Sequence, residues 1–301
     1  MNGFLNINKP TGRTSSDVVV FVRRRLPKGA SVGHGGTLDP EASGVLPVCV
    51  GSATRLFDYI IDKQKTYVAR IRLGVVTDTQ DASGQVVETR PVTASEADLV
   101  AVLPQFTGEI RQIPPMYSAL KRDGKRLYKL ARRGESVDLQ PRPCRVDDIE
   151  CLGPDGEDAY LLQIRCGKGV YIRTLCHDIG RALGCGAHMA SLRRTAAGIF
   201  DISDALTLDE IDALAASGAL ESALIPLDAP LSHLPAVRVG ERSRHAVING
   251  NPLKAAWLDA PAPQVDAVRV YLNDEFAGIG APQPDGGVKF RAMLYQPEDA
   301  R

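Results

Sequence analysis

The chain has 301 residues, of which 44% are hydrophobic and 24% charged, and 36 Lys and Arg residues balance 36 Asp and Glu residues. This composition predicts a packed globular protein and excludes wholesale disorder. No apolar run approaches the roughly 20 residues of a membrane span, and the first ten residues lack the order of a signal peptide. We therefore expect a cytoplasmic protein without a membrane partner.

The first predicted elements are a helix and a buried strand. Residues 14–17 (Thr-Ser-Ser-Asp) form a capping box in front of an apolar run, which predicts the start of the helix. The arginines at 23–25 then fall in its last turn, where the helix dipole favours cations, and Gly29 is its predicted end. Residues 45–50 form the short apolar run typical of a buried strand.

The next segments carry clear periodicity. Residues 65–73 alternate between two faces and predict a half-buried strand with Tyr67 on the apolar face. Residues 81–84 (Asp-Ala-Ser-Gly) predict a turn that leads into 85–88. Residues 95–103 predict a short helix with its leucines facing inward.

The second half of the larger domain mixes helices and strands. Residues 111–145 combine Pro, Gly and many basic residues and predict an exposed helical or loop excursion. Residues 160–166 predict a strand, and the apolar stripe within 172–183 predicts a helix ended by Gly184. Residues 207–211 begin a further helix. Because no βαβ period repeats, the pattern favours an α+β domain over a doubly wound sheet.

A smaller unit is predicted beyond Pro226. Residues 268–272, 276–279 and 288–294 have the length and alternation of strands. They predict a small β-barrel of about 70 residues, near the lower size limit for an independent core.

The balanced net charge hides a strong asymmetry along the chain. Residues 1–56 carry seven basic residues against three acidic ones, residues 111–145 ten against three, and residues 165–194 six against one. Residues 201–230 contain seven acidic residues and no basic one. Any one basic run fits a solvated helix surface, but three such runs favour a nucleic-acid partner.

Residues 33–40 (Gly-His-Gly-Gly-Thr-Leu-Asp-Pro) are the most informative stretch for chemistry. Pro40 pushes Asp39 away from helical geometry, so that its carboxylate can project from a defined turn. The same pattern also fits an Asp that only caps a turn. The stretch lacks the Lys-Ser/Thr end of a P-loop and the spacing of a dinucleotide-binding loop.

A metal site is not expected. Two of the four residues with superficial metal-ligand spacing lie inside the predicted helix, so buried reduced thiols explain the cysteines better. Those four residues are Cys176, His177, Cys185 and His188.

Six segments in order resemble the bacterial tRNA pseudouridine synthases that modify uridine 55 in the T loop. The resemblance covers about residues 3–200. The segments are KPTGRTS (9–15), GHGGTLDPEASGVLP (33–47), KTYVARIRLGVVTDTQDASG (65–84), PPMYSALK (114–121), GKGVYIRTLCHDIG (167–180) and CGAH (185–188).

This resemblance implies an isomerase that needs no cofactor and acts on the T-arm stem-loop of tRNA. The implied fold is a mixed, mainly antiparallel sheet flanked by helices, with a PUA-like β-barrel appended. The implied catalytic domain spans residues 1–229, with a basic insertion at about 111–145, and the small RNA-binding domain spans 230–301. We expect a monomer.

The resemblance also assigns roles to individual residues. Asp39 is implied as the catalytic carboxylate, kept ionised by the guanidinium of Arg173. Tyr67 is implied to stack on the target uracil and to assist proton removal from C5, although its pattern alone fits a core residue. His34 is implied to fill the space of the everted nucleotide. The remaining substrate-pocket positions are Tyr171 and Leu192.

The basic insertion is implied to grip the T arm, and four of its residues are the predicted RNA contacts: Lys121, Arg122, Lys125 and Arg126. Two other functions remain open. A non-catalytic RNA-binding or RNA-folding protein would use the same basic surface without needing Asp39. A nucleoside glycosidase would use a carboxylate pair such as Asp39 and Glu41, and it would release free uracil.

Overall fold

The structure is a computed structural model that describes residues 1–61, 63–116, 121–122, 125–126, 137 and 139–295; the side chains of residues 61, 121, 122, 125 and 126 lie outside the description. The described helices are α1 (Ser15–Arg23), α2 (Phe57–Ile61), α3 (Glu96–Val102), α4 (Ile172–Ala182), α5 (Leu208–Ala216) and α6 (Arg244–Ile248). The described strands are β1 (Gly3–Lys9), β2 (Val32–His34), β3 (Ser43–Val50), β4 (Lys65–Leu73), β5 (Val75–Thr77), β6 (Val86–Thr89), β7 (Gly108–Gln112), β8 (Lys121–Arg122), β9 (Lys125–Arg126), β10 (Arg142–Pro154), β11 (Ala159–Cys166), β12 (Ala187–Ala197), β13 (Phe200–Asp201), β14 (Ala236–Val239), β15 (Val268–Leu272), β16 (Glu275–Pro282) and β17 (Val288–Met293).

One large mixed sheet organises the first two thirds of the chain. Its strand order is β1-β3-β12-β4-β11-β10-β7, with β2 paired to β3 and β13 paired to β12. The described neighbours pair antiparallel except β12 and β3, which are parallel. This is the predicted α+β architecture with a mainly antiparallel sheet.

Strand β4 lies inside the large sheet, between β12 and β11. Its bounds are the predicted ones, and Tyr67, Ala69, Ile71 and Leu73 are buried while their neighbours are more exposed. A period of two turns every second side chain toward the same face, so one face of the strand reaches the core. The predicted strand is confirmed, and Tyr67 belongs to its inner face.

Helix α1 begins as the sequence predicts and ends earlier. The Thr14 side chain accepts a hydrogen bond from the Asp17 amide, and the Asp17 carboxylate accepts one from the Thr14 amide. The helix ends at Arg23 and not before Gly29, so only one of the three arginines lies in its last turn. A proline at 27 disfavours helical geometry at the residue before it, which explains the early end.

Capping boxes also start the two helices predicted at 95–103 and 207–211. Ser95 caps α3 and Thr207 caps α5, each with a carboxylate three residues later. Both helices are confirmed, as are the strands predicted at 45–50 and 160–166, which are β3 and β11. The predicted turn at 81–84 joins β5 to β6.

Helix α4 packs its apolar stripe on the large sheet. Ile172, Leu175 and Ile179 are buried, whereas Ala182, which the stripe included, is exposed. The helix begins directly after Tyr171, so Arg173 lies in its first turn. A cation there opposes the helix dipole and needs nearby carboxylates to offset it.

The segment predicted as an exposed excursion has ordered ends. Its first residues belong to β7 and its last to β10, and Gln112 pairs with Arg142 across the two strands. The backbones of the four predicted RNA-contacting residues form the two-stranded hairpin β8–β9, in which Lys121 pairs with Arg126 and Arg122 with Lys125. Their side chains lie outside the described part of the chain.

A second, four-stranded sheet forms near the C-terminal end of the described chain, in the order β14-β15-β16-β17. The three strands predicted there are confirmed as β15, β16 and β17. This sheet has its own apolar cluster, which includes Val239, Val247 and Val270. A separate cluster joins it to the large sheet, where Phe4 and Phe200 lie with Ile279.

Candidate active site

The loop between β2 and β3 presents the Asp39 carboxylate. Gly36 adopts φ +111°, a conformation that L side chains rarely adopt, and so permits the turn before Thr37. The next residue but one, Leu38, is buried, and its backbone amide and carbonyl both hydrogen-bond the Ser15 hydroxyl at the start of α1 (2.9 and 3.1 Å). These contacts fix the loop at the residue directly before Asp39. The Asp39 side chain projects from the loop and is 45% exposed.

A buried lysine fixes the other end of the same loop. The Lys9 ammonium donates hydrogen bonds to the carbonyls of Pro10 (2.9 Å), Arg13 (2.6 Å) and Pro40 (3.1 Å). The residue has no exposed surface, and burial lowers the pKa of Lys9 to about 8. Lys9 therefore ties the end of β1 to the residue that directly follows Asp39.

Arg173 bridges two carboxylates. One guanidinium nitrogen lies 3.3 Å from the Asp39 carboxylate, and the other lies 3.0 Å from the carboxylate of Asp81. Only 8% of the arginine side chain is exposed, against 15% for Asp81. The bridge offsets the placement of this cation in the first turn of α4.

Asp81 is a site residue that the sequence does not reveal. Its carboxylate also accepts hydrogen bonds from the Thr79 hydroxyl (2.8 Å), the Ser83 amide (3.0 Å) and the Ser83 hydroxyl (2.5 Å). Burial acts to raise the pKa of Asp81, but these bonds and the Arg173 charge outweigh it and hold the pKa below its ordinary value. The Asp-x-Ser spacing predicts a turn and carries no signal for an arginine 92 positions later.

A cavity of about 1180 Å³ opens around this ion pair. It is lined by Asp39, Asp81 and Arg173 together with two further predicted site residues, His34 and Leu192. Ligand sites in proteins commonly have volumes of about 300–1000 Å³, so the cavity is large enough for a nucleotide. The fold thus brings four predicted site residues to one cleft.

His34 enters this cleft as an uncharged side chain. Burial and the charge of Arg194 lower the pKa of His34 below its ordinary value of 6.5. The imidazole is therefore neutral near pH 7, and its Nδ1 is a buried polar atom without a protein partner in the described chain.

The two predicted tyrosines do not belong to the described lining of this cavity. Tyr67 lies on β4 and is 8% exposed, and burial raises the pKa of its phenol. Tyr171 is half-buried directly before α4, and the side-chain amide of Gln112 holds its backbone N–H (3.0 Å) and C=O (3.2 Å). Gln112 thereby fixes the start of the helix that carries Arg173, a role that its sequence context did not indicate.

No metal-binding cluster of three or more His, Cys, Asp or Glu side chains occurs among the described residues. The six cysteines form no disulfides, and burial raises the pKa of Cys176 to about 12. Within the described chain no helix has the length and apolarity of a membrane span. The chemistry that the cleft itself offers is that of an accessible carboxylate beside a fixed cation, which can act as nucleophile or base.

Known proteins are similar to this chain over nearly its whole length. The family model "TruB family pseudouridylate synthase (N terminal domain)" matches residues 23–172, and "tRNA pseudouridylate synthase B C-terminal domain" matches residues 173–232. The tRNA pseudouridine synthase B of Stutzerimonas stutzeri is 44% identical over 298 residues, which cover 98% of this chain and 96% of that protein. The protein of the same name from a Pseudomonas fluorescens strain is 45% identical with the same coverage.

Solved structures with a similar fold also cover nearly the whole chain. A chain of a Cbf5-Nop10-Gar1 complex superposes with a TM-score of 0.74 at 30% identity, covering 99% of this chain and 86% of that chain. A chain of an H/ACA RNP bound to a substrate RNA containing 2'-deoxyuridine gives 0.73 at 28% identity, with the same coverage. The two family models and the 44–45% identity to the curated relatives along nearly the full length show that the chain belongs to the TruB family of pseudouridylate synthases.

Proposed function

We propose that the protein isomerises uridine 55 in the T loop of tRNA to pseudouridine. The observation that carries this proposal is the Asp39 carboxylate, accessible in a nucleotide-sized cleft and 3.3 Å from the guanidinium of Arg173. The names of relatives that are 44–45% identical over nearly the full length support the same reaction.

The reaction breaks the N1–C1′ bond of uridine, turns the uracil, and joins C5 to C1′. A proton leaves C5 and one is gained at N1, so the product is an isomer of the substrate. Asp39 either attacks the ribosyl carbon or the base, or it removes a proton from the ribose. A covalent route would divide one difficult step into two easier ones.

The other site residues have supporting roles in this proposal. Arg173 holds Asp39 in place and supplies a positive charge beside it. His34 fills the space that the everted nucleotide leaves, and Leu192 lines the pocket. Tyr67 and Tyr171 contact the uracil after it enters the cleft, with Tyr67 assisting the removal of the C5 proton.

We further propose that the T arm extends beyond the catalytic cleft. A second cavity of about 970 Å³ shares Asp78 and Thr79 with the first, and its lining includes Arg111 and Arg181. Two basic side chains suit the phosphates of a strand that leads away from the target nucleotide.

The domain assignment remains part of the proposal. Residues 1–229 are assigned to catalysis and residues 230–301 to a PUA-like RNA-binding domain, an assignment supported by the separate apolar cluster of the four-stranded sheet. We propose that the enzyme acts as a monomer in the cytoplasm.

The function is tested with purified protein and a tRNA transcript that carries C5-tritiated uridine. We expect tritium release, no free uracil, and pseudouridine at position 55 by sequence mapping. A transcript with cytidine at position 55 is the matched control and should release much less tritium. Free uracil would indicate a glycosidase, whereas binding without tritium release would indicate a non-catalytic RNA-binding protein.

The basic hairpin gives a separate test of RNA binding. Replacing Lys121, Arg122, Lys125 and Arg126 together by Ala should weaken tRNA binding and flatten its dependence on salt. Each phosphate that the variant no longer neutralises should reduce the slope of log K against log salt by roughly 0.7–0.9. An unchanged slope would contradict the assignment of these residues to the T arm.

A further inference from the structure

Arg194 is a fully buried arginine beside the candidate active site. Among the described residues it is the largest side chain with less than 2% exposure, at 1%. Its guanidinium donates hydrogen bonds to the carbonyl of Val45 (2.6 Å) and to the carbonyl of Gly36 (3.2 Å). Gly36 lies three residues before Asp39, so Arg194 holds the loop that presents the catalytic carboxylate.

The positive charge of Arg194 lacks a carboxylate partner within the described chain, where it forms no ion pair and donates hydrogen bonds to the two backbone carbonyls. Burying a cation without a counter-ion is costly, and arginine cannot escape that cost by losing its proton. A residue kept at such a cost is a candidate for a function beyond packing.

The strand register places Arg194 against Tyr67. The two residues are direct partners across the antiparallel pair β12–β4, and Arg194 is the partner of Gly44 across the parallel pair β12–β3. A Cβ atom on Gly44 would lie 2.1 Å from the Arg194 carbonyl oxygen, so glycine is required for this close approach. Directly opposed side chains of neighbouring strands lie on the same face and interact.

The groups that face the Tyr67 phenol come from several elements. Arg194 on β12, Cys166 on β11 and Asp39 in the catalytic loop all act on it. Burial is the largest influence and raises the pKa of Tyr67; the charge of Arg194 opposes it, while Asp39 and Cys166 add to it. Burial raises the pKa of the Cys166 thiol to about 12, so that this group is neutral.

We propose that Arg194 is a positioning residue that orients the Tyr67 phenol and stabilises its phenolate, so that Tyr67 removes the C5 proton after the C5–C1′ bond has formed. This inference rests on the proposed isomerisation. In the step, the phenolate oxygen takes the proton and the C5–H electron pair forms the C5=C6 bond. The N1=C6 pair then moves to N1, which takes a proton from water, and the phenol returns its proton to solvent.

The test compares Arg194→Gln with Arg193→Gln, which removes the same charge from an exposed neighbour. Single-turnover rates at saturating tRNA are measured with C5-protiated and C5-deuterated uridine. Arg194→Gln should slow the reaction by about 100-fold, the size of a typical acid–base contribution, and should raise the isotope effect because proton removal becomes limiting. Arg193→Gln should keep the wild-type isotope effect.

The pH dependence gives a second readout. Loss of the guanidinium charge raises the pKa of Tyr67, so the rising limb of the rate profile of Arg194→Gln should move to higher pH than that of the wild type. In a Tyr67→Phe background, adding Arg194→Gln should leave the isotope effect unchanged, since the group on which it acts is already absent.

The conservative variant Arg194→Lys keeps the charge and is the variant to use if Arg194→Gln does not fold. It should be slowed less and should still show a raised isotope effect, because a lysine cannot bind both carbonyls and keep its charge in the same place beside Tyr67. A folded variant at Arg194 that is slow but has the wild-type isotope effect would overturn the inference alone. Failure of the wild type to form pseudouridine would overturn the proposed function and this step with it.

Discussion

The two carboxylates that contact Arg173 stand in contrasting surroundings. Asp39 lies on the loop between β2 and β3, 45% exposed, and has Arg173 as its ionic partner at 3.3 Å. Asp81 lies in the turn between β5 and β6, 15% exposed, and adds three hydrogen bonds from Thr79 and Ser83 to its ion pair.

This difference shows how one arginine can serve two purposes. The well-supported Asp81 fixes the guanidinium, and the fixed guanidinium holds Asp39 where solvent or substrate can reach it. Removing one partner of a largely buried ion pair leaves an uncompensated charge. Substitutions of the two carboxylates should therefore have different effects. Substitution of Asp39 should abolish chemistry, whereas substitution of Asp81 should disturb geometry and stability together.

Asp39→Asn should have the largest effect. Because the amide can neither attack carbon nor accept a proton from it, we expect turnover to fall by more than about 1000-fold. Dissociation constants for tRNA should stay within about threefold of the wild type, since phosphate contacts supply most of the affinity. Glu41→Gln, in the same loop and exposed, is the matched control and should keep near-normal turnover. Full turnover of Asp39→Asn would end the catalytic assignment.

Asp81→Asn should come second. Displacement of Arg173 by even about 1 Å can cost a factor of about 100 in rate, and removal of a charged hydrogen bond should lower the free energy of unfolding by about 1–3 kcal/mol. Single-turnover rates and urea unfolding measure the two effects. Glu88→Gln, at an exposed position of the same hairpin and outside both cavities, should change neither by much. Equal losses in the two variants would mean that Asp81 has no special relation to Arg173.

The stabilising role of Asp81 can also be tested by its dependence on pH. The pKa of Asp81 in the folded protein is lower than its ordinary value of 3.8, so its stabilising contribution is present above that value and is lost as pH falls through the lower folded pKa. The difference in unfolding free energy between the wild type and Asp81→Asn should be constant from pH 7 to about 5 and should shrink below about 4. A difference that grows in acid would have the wrong sign for this mechanism.

Ser83→Ala should have the smallest effect. It removes the hydroxyl donor to Asp81 but keeps the backbone donor of the same residue. One hydrogen bond to a charged group contributes about 1.5–3 kcal/mol at most, and water can replace part of it at this exposed position, so we expect a rate loss of about two- to fivefold. Single-turnover kinetics measure it, and a loss as large as that of Asp81→Asn would contradict the anchoring role of the turn as a whole.

Local signals predicted most elements of the fold correctly. The alternation within 65–73, the capping box at Thr14 and the apolar spacing within 95–103 depend on neighbouring residues only, and the structure confirms the strand, the helix start and the second helix. The predicted end of the first helix was wrong because the proline at 27 acts on its neighbour before Gly29 can act as a stop. The predicted RNA contacts from Lys121 to Arg126 remain predictions.

The sequence by itself determined the periodic strands and helices, the turn that exposes Asp39, and the family resemblance, because each depends on residues that lie close together along the chain. The tertiary structure alone decided that Asp81 shares Arg173 with Asp39, and that Arg194 lies buried against Tyr67. The physical reason is that these pairs join distant positions through sheet register and helix placement. Local periodicity reports which face of an element is apolar and is silent about which distant charge meets it.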